Sequence, residues 1–213
     1  MPDSLHALNL RKQYNQSTVI FDGLNVDFKP GTATGLIGAN GSGKTTLLRI
    51  LTTVAYPTSG KVLLGELNIH EHPHQYLSHL GFGFDSSELP MFANTVEVLE
   101  AILKSRNKWS EDSHSQINGL LEMLDLDERR NNLIGTYSSG MMQKALIAMA
   151  LIADPDIILL DEPFRALDEA TVGRLKDYLI SQKEAGKIII LSSHNSELIK
   201  ELCDSVIEFP YQK

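Results

Sequence analysis

Gly38, Ala39, Asn40, Gly41, Ser42, Gly43, Lys44 and Thr45 run in the order G-x-x-x-x-G-K-[ST]. The chemistry open to that order is phosphate binding. Its glycines let the backbone curl so that successive amides point inward at phosphate oxygens. Lys44 can reach the terminal phosphates, and the Thr45 hydroxyl, with Thr46 behind it, can ligate a divalent cation. The loop also falls between an apolar strand-like run, "TATGLI", and a helical run, "TTLLRILTT". These residues predict a nucleoside triphosphate site. Kinases, GTPases and motors share such a loop, so it names no reaction. Against a GTPase, the pair Asn107-Lys108 lacks the aspartate two positions later that would read guanine.

Further groups are placed to act on a bound triphosphate. In "IILLDEP" four aliphatic residues predict a buried strand whose carboxyl end delivers Asp161 and Glu162 to the rim where ligands bind. One carboxylate there can hold Mg²⁺; the next can orient and deprotonate an attacking water. Asp168 follows seven residues after Asp161, and His194 ends another strand-like run, "IIILSS". In "TYSSGMMQKALIAMA", Ser138, Ser139 and Gly140 precede an apolar helical stretch, an arrangement whose free amides attract an anion.

The elements that must position these groups are legible in outline. "LHALNL", "TVIFDGLNVDF" and "KVLLGELNI" predict strands, with turns at Pro30-Gly31 and Ser59-Gly60. "TVEVLEAILKS" and "QINGLLEML" carry apolar residues at helical spacing: Val96, Leu99, Ile102 and Leu103, then Ile117, Leu120, Leu121 and Leu124. The polar stretch 107–115 between them predicts a loop, with Trp109 as a packing residue. A helical lobe is expected over about 86–150. From there strands and helices alternate: "DIILLDE", a helix ending at Gly186, "KIIILSSH", "NSELIKELCD" and "SVIEF". Such alternation predicts a largely parallel sheet flanked by helices.

Composition narrows the partners. The chain has 213 residues, 42% of them hydrophobic, enough for one good core. A net charge of −8 argues against a nucleic-acid partner. Cys203 is the single cysteine, expected as a buried thiol, and the chain cannot form an internal disulfide. The opening "MPDSLHALNL" has the features of neither a signal nor a transit peptide, and no apolar run is long enough to span a bilayer. Work at a membrane would therefore need another chain to hold this one there.

Taken in order, Gly38–Thr45, "YSSGMMQK", "IILLDEP", "RALD" and His194 resemble the ATP-binding cassette (ABC) ATPases over essentially the whole chain. The resemblance implies a single α/β domain spanning 1–213: a P-loop NTPase core (about 1–85 and 151–213), an N-terminal antiparallel β subdomain, and an inserted α-helical subdomain (about 86–150). It implies ATP and Mg²⁺ as ligands, the metal held at Thr45 and Asp161, and hydrolysis of ATP to ADP and phosphate. It implies two cassettes packed head to tail, with Ser138, Ser139, Gly140 and Met141, the family's signature, closing over the partner's ATP. Tyr14 matches the aromatic that stacks on adenine, Glu162 the catalytic carboxylate, and His194 the switch histidine at the γ-phosphate. Asp168 matches the loop linking the two sites across the dimer. A separate membrane permease would receive the stroke near residues 85–105, placing the chain in the cytoplasm on the inner face of the cell membrane.

The sequence departs from the family in two places. Asp85 stands where a metal-sensing glutamine is usual, and a role at Mg²⁺ is the expectation there. Tyr137, Ser139 and Met141 replace leucine, glycine and glutamine of the signature, and the resulting Y-S-x-G-M form resembles cassettes of ABC-2 type exporters. Two other readings stay open: a soluble ABC ATPase serving, for example, iron–sulfur assembly, and a regulatory subunit with little turnover. One chain carries every motif two sites need, so a homodimer suffices, with a heterodimer also open.

Overall fold

The computed structural model describes residues 3–15, 18–83 and 89–211. Two N-terminal strands, β1 (Leu5–Asn15) and β2 (Thr18–Phe28), pair antiparallel and bury Leu5, Ala7, Leu10, Phe21, Leu24 and Phe28 on one side. The expected turn at Pro30-Gly31 leads to β3 (Ala33–Ile37), after which the glycine-rich loop opens α1 (Lys44–Leu51). Next come β4 (Ser59–Leu64) and β5 (Leu67–Asn68). Ser59 and Gly60, expected as a turn, instead begin β4, where its register against β1 slips between Leu8 and Arg11. The "KVLLGELNI" run, expected as one strand, is a tight hairpin that reverses after Gly65, a residue at φ 56°. Apolar pattern alone does not tell one strand from two short ones folded together.

The short elements α2 (Pro73–Leu77) and β6 (Leu80–Gly83) follow, both missing from the sequence reading. The lobe contains α3 (Thr95–Ser105) and α4 (Ser113–Met123). Asn94 and Glu97 form a reciprocal capping box at the start of α3, an arrangement worth about 1 kcal/mol. The polar stretch expected as a loop through residue 115 ends sooner: the Ser110 amide donates to Ser113 Oγ (2.8 Å), closing a turn that starts α4 three residues earlier. Trp109 packs edge-on against His114, with Lys104 over its ring, a packing residue as expected.

From the lobe, α5 (Ser139–Leu151) runs back beneath β6 and onto β7 (Ile157–Asp161). The chain ends with α6 (Glu169–Glu184), β8 (Ile188–Ser193), α7 (Ser196–Leu202) and β9 (Ser205–Glu208). Cys203 lies just past α7 rather than on it, half-buried, and burial pushes its thiol up to about 12.

Two sheets result, one antiparallel in the order β2-β1-β4-β5 and one parallel in the order β6-β7-β8-β3-β9. Strand period 2 splits the parallel sheet between two cores. Ile157, Leu159, Ile188 and Ile190 pack toward α1 and the antiparallel sheet, while Ile158, Leu160, Ile189 and Leu191 pack toward α3–α7. Burying each such side chain contributes about 1.5–3 kcal/mol, which is why these aliphatic runs dominate the assembly. The architecture is the expected α/β one, with a parallel core, an antiparallel sheet and helices.

Candidate functional site

The middle strands of the parallel sheet deliver the site. β3, β8 and β7 are adjacent, with Leu36 opposite Ser192, Ile37 opposite Ser193 and Asp161 opposite Ser192. Their carboxyl ends therefore stop at one level, bringing the loop after Ile37, the Asp161–Glu162 pair and His194 to one rim.

The loop itself is shaped by glycine. Gly43 has φ 116°, and a Cβ there would lie 2.6 Å from Ile20 Cγ2, so β2 packs directly on the loop. The Lys44 ammonium is almost buried and donates to the carbonyls of Gly38 (2.6 Å) and Ala39 (3.2 Å). An ammonium has three donors, so one remains for an anion. The first amides of α1, at Lys44, Thr45 and Thr46, have no intrahelical acceptor by geometry. Among the described residues, Ser42 Oγ is buried with no hydrogen-bond partner. The open donors at Lys44 and at the start of α1 suit a phosphate.

Opposite the loop, a hydrogen-bonded chain orders the acids. Thr45 Oγ1 donates to Asp161 Oδ2 (2.9 Å). The fully buried Ser192 donates through Oγ to Asp161 Oδ1 and accepts the Glu162 amide (3.0 Å). Glu162 sits at φ 50°, a left-handed conformation costly for a side-chain-bearing residue. Its Oε2 shares a 2.8 Å hydrogen bond with His194 Nδ1. Of these groups Thr45, Asp161 and Glu162 line a cleft of about 610 Å³ together with Asn40, Gly41, Gly43, Lys44 and Thr46, with Arg49, Arg165, Ser139 and Gln143 also on it. Ser192 and His194 bond to Asp161 and Glu162 and do not line it.

A magnesium ion fits this donor set. Mg²⁺ prefers hard oxygen ligands and keeps waters and substrate phosphates among them, so the Thr45 hydroxyl beside the Asp161 carboxylate is sufficient protein ligation. Among the described residues no cluster of three His, Cys, Asp or Glu side chains forms a separate metal cage. Asp85, the other expected metal residue, lies outside the described residues.

The remaining expected residues are distributed around this centre. Tyr14 stands exposed near the end of β1, with the Lys12 ammonium 5.0 Å from its ring centroid, and it does not line the phosphate cleft. Ser138 is the N-cap of α5, its Oγ accepting the Met141 amide (3.3 Å), and Met141 itself packs against the helical core. Ser138 and Ser139 are exposed. Gly140 lacks space for a side chain, because a Cβ would lie 2.5 Å from the Ala166 carbonyl oxygen.

Asp168 caps α6. It accepts from the Thr171 amide and hydroxyl (2.8 Å each) and pairs with Lys144 (3.0 Å). The Thr171 contacts first, then Lys144, hold its carboxyl well below the usual range. Sequence reasoning missed Ser192, Gln143, Lys144 and Arg165. Two serines closing an otherwise aliphatic strand were the available signal for Ser192.

The sequence model of the family described as ABC transporter matches residues 21–165. An uncharacterized ABC transporter ATP-binding protein of Bacillus subtilis, YybJ, is 34% identical over 208 residues, covering 96% of this chain and 91% of that protein. The bacitracin transport ATP-binding protein BcrA of Enterococcus faecalis is 31% identical over 199 residues, covering 93% of this chain. The chain spans 63% of BcrA's length, so part of that relative has no counterpart here. A bacterial ABC transporter cassette solved as a dimer superposes with a TM-score of 0.84 at 24% identity, covering 96% of this chain and 94% of that one. At that identity the likeness speaks to the fold.

Proposed function

The chain belongs to the ABC transporter family of ATP-binding proteins, and on that premise we propose that it is the ATP-hydrolysing motor of an exporter, working as a head-to-tail homodimer under a separate permease. The observation that carries this reading is the continuous chain Thr45–Asp161–Ser192–Glu162–His194 facing the phosphate loop. Lys44 and the loop amides bind the phosphates. Thr45 and Asp161 would hold Mg²⁺, which would supply charge neutralisation on the phosphates. Glu162 takes the proton of the attacking water, and His194, hydrogen-bonded to that carboxylate, fixes its orientation beside the terminal phosphate.

Export as the direction draws on the Y-S-x-G-M signature and on relatives named for bacitracin transport and Nod factor export. The permease contact draws on the lobe surface: Phe92 is 95% exposed and Leu133 is 48% exposed, beside the backbone bridge from Asn94 to Leu133. A large apolar side chain left fully in water is what a partner would cover. Among the described residues no helix is long and apolar enough to cross a membrane, which agrees with a separate membrane subunit. Such a subunit would hold the motor at the inner face of the membrane.

The test is Glu162→Gln. We expect turnover to fall by about 10²–10⁴-fold, while ATP with Mg²⁺ drives the variant into a stable dimer visible by light scattering. A variant that stays monomeric in ATP, beside a parent that hydrolyses it, would falsify the head-to-tail reading.

A further inference from the structure

Three residues on one face of α5 hold the segment that follows β7. At Gly140 backbone meets backbone against the Ala166 carbonyl. One turn later Gln143 Nε2 donates to the Glu162 carbonyl (3.4 Å). Next to it Lys144, only 7% exposed, sets its ammonium 3.0 Å from Asp168 Oδ2 and 3.2 Å from Asp125 Oδ2. Spacings of three and four residues put these positions on one side of the helix.

The partners on the other side are Glu162, Ala166 and Asp168. That segment contains two left-handed residues other than glycine, Glu162 at φ 50° and Ala166 at φ 59°. Conformations of this kind persist only where neighbours impose them. Asp125, past the end of α4, is also left-handed at φ 53°. The Lys144 ammonium thus joins the helical lobe, α5 and the loop after β7 at a single point.

We propose that Lys144 is a positioning residue that holds the Glu162–Asp168 loop against α5, so that Glu162 and Ser138–Gly140 of one chain are correctly placed relative to each other in the closed dimer. The inference rests on the head-to-tail reading given above. In that arrangement Ser138–Gly140 serve the partner's ATP while Glu162 serves the chain's own. A contact that places the two relative to each other is therefore felt at both sites. An apolar side chain could fill the same space without requiring two carboxylates. The charge therefore supplies direction: an ammonium held between Asp125 and Asp168 fixes where both must lie.

The experiment compares Lys144→Met and Lys144→Arg, each in the parent and in Glu162→Gln. We expect Lys144→Met to bind ATP within about twofold of the parent, since the phosphate loop is untouched, yet to lose about tenfold or more in kcat. The ATP-driven dimer of Glu162→Gln should weaken in the double variant, and Lys144→Arg should restore most of both. A Lys144→Met protein whose kcat per folded molecule matches the parent, with only Tm lowered, overturns the proposal. Should Lys144→Met not fold, Asp168→Asn keeps the α6 cap and removes the charge; unchanged kcat there overturns it equally. Failure of Glu162→Gln alone to dimerise would instead sink the underlying reading, so the two failures are distinguishable.

Discussion

At the phosphate loop, Lys44 is buried and held by two carbonyls of its own loop, whereas at the start of α5 Ser138 and Ser139 are exposed, the Ser138 hydroxyl holding the Met141 amide. Both regions are helix N-termini ready for an anion. The first is enclosed by its own chain: β2 packs on Gly43, and Asp161, itself held by Ser192, accepts from Thr45. The second is supported through Gly140, Gln143 and Lys144, with Ser138 exposed and Ser139 at the margin of the phosphate cleft. A region so supported and exposed at Ser138 is suited to meet something outside the chain. On the head-to-tail reading, the contrast separates binding by the monomer from turnover, which needs both regions.

Lys44→Ala attacks the enclosed region and should show the largest loss in binding. Removing a charge-assisted donor costs about 1.5–3 kcal/mol, so ATP affinity of the monomer should fall by roughly ten- to a hundredfold. Titration of the isolated chain with a fluorescent ATP analogue measures it, and unchanged affinity would remove Lys44 from the phosphate site.

Ser138→Ala attacks the exposed region and should do the reverse. Loss of the cap costs about 1 kcal/mol of stability, and kcat should fall by about tenfold while monomer ATP affinity stays put. If affinity fell with it, the two regions would not be separable as described.

The smallest effect concerns the link between them. Asp168 has its carboxyl depressed below the ordinary 3.8. Its charge therefore stabilises the fold at and above that ordinary value, and the contribution is lost as pH falls toward the depressed one. Half of the side chain is exposed, so the contribution of its charge should stay below about 1 kcal/mol. Urea melts of the parent and Asp168→Asn should differ slightly at pH 7 and converge as the pH falls below about 4. A difference that persists unchanged in acid would contradict the assignment of that carboxylate as charged and paired.

Much of the fold was legible in the residues, for reasons that differ by element. β7 and β8 are aliphatic runs broken by polar residues at the rim, and few other structures accommodate "IILLDE" or "IIILSSH". The β6 segment Leu80–Gly83 was invisible because two of its four residues are glycine. It is a strand only because β7 pairs with it, Leu80 to Ile157 and Phe82 to Leu159. Ser59 and Gly60 carry turn chemistry, yet pairing with β1 overrode it. At the site, the phosphate loop, the two acids and the Ser138 cap were readable because each is a local pattern. Ser192 and Lys144 were not, because neither has a role until another segment arrives beside it.

The sequence by itself therefore determined which groups are available: a glycine-rich anion loop, paired carboxylates at a strand end, a second helix start, and aliphatic runs long enough to bury a sheet. Local chemistry decides these, since backbone curl, strand burial and helix capping depend on residues close in the chain. Only the tertiary structure decided that Asp161 meets Thr45 through the register of β3, β8 and β7, and that Ser192 orders both acids. It alone set Lys144 between Asp125 and Asp168. Those contacts join residues far apart in sequence, and distance along the chain carries no record of which side chains packing will bring together.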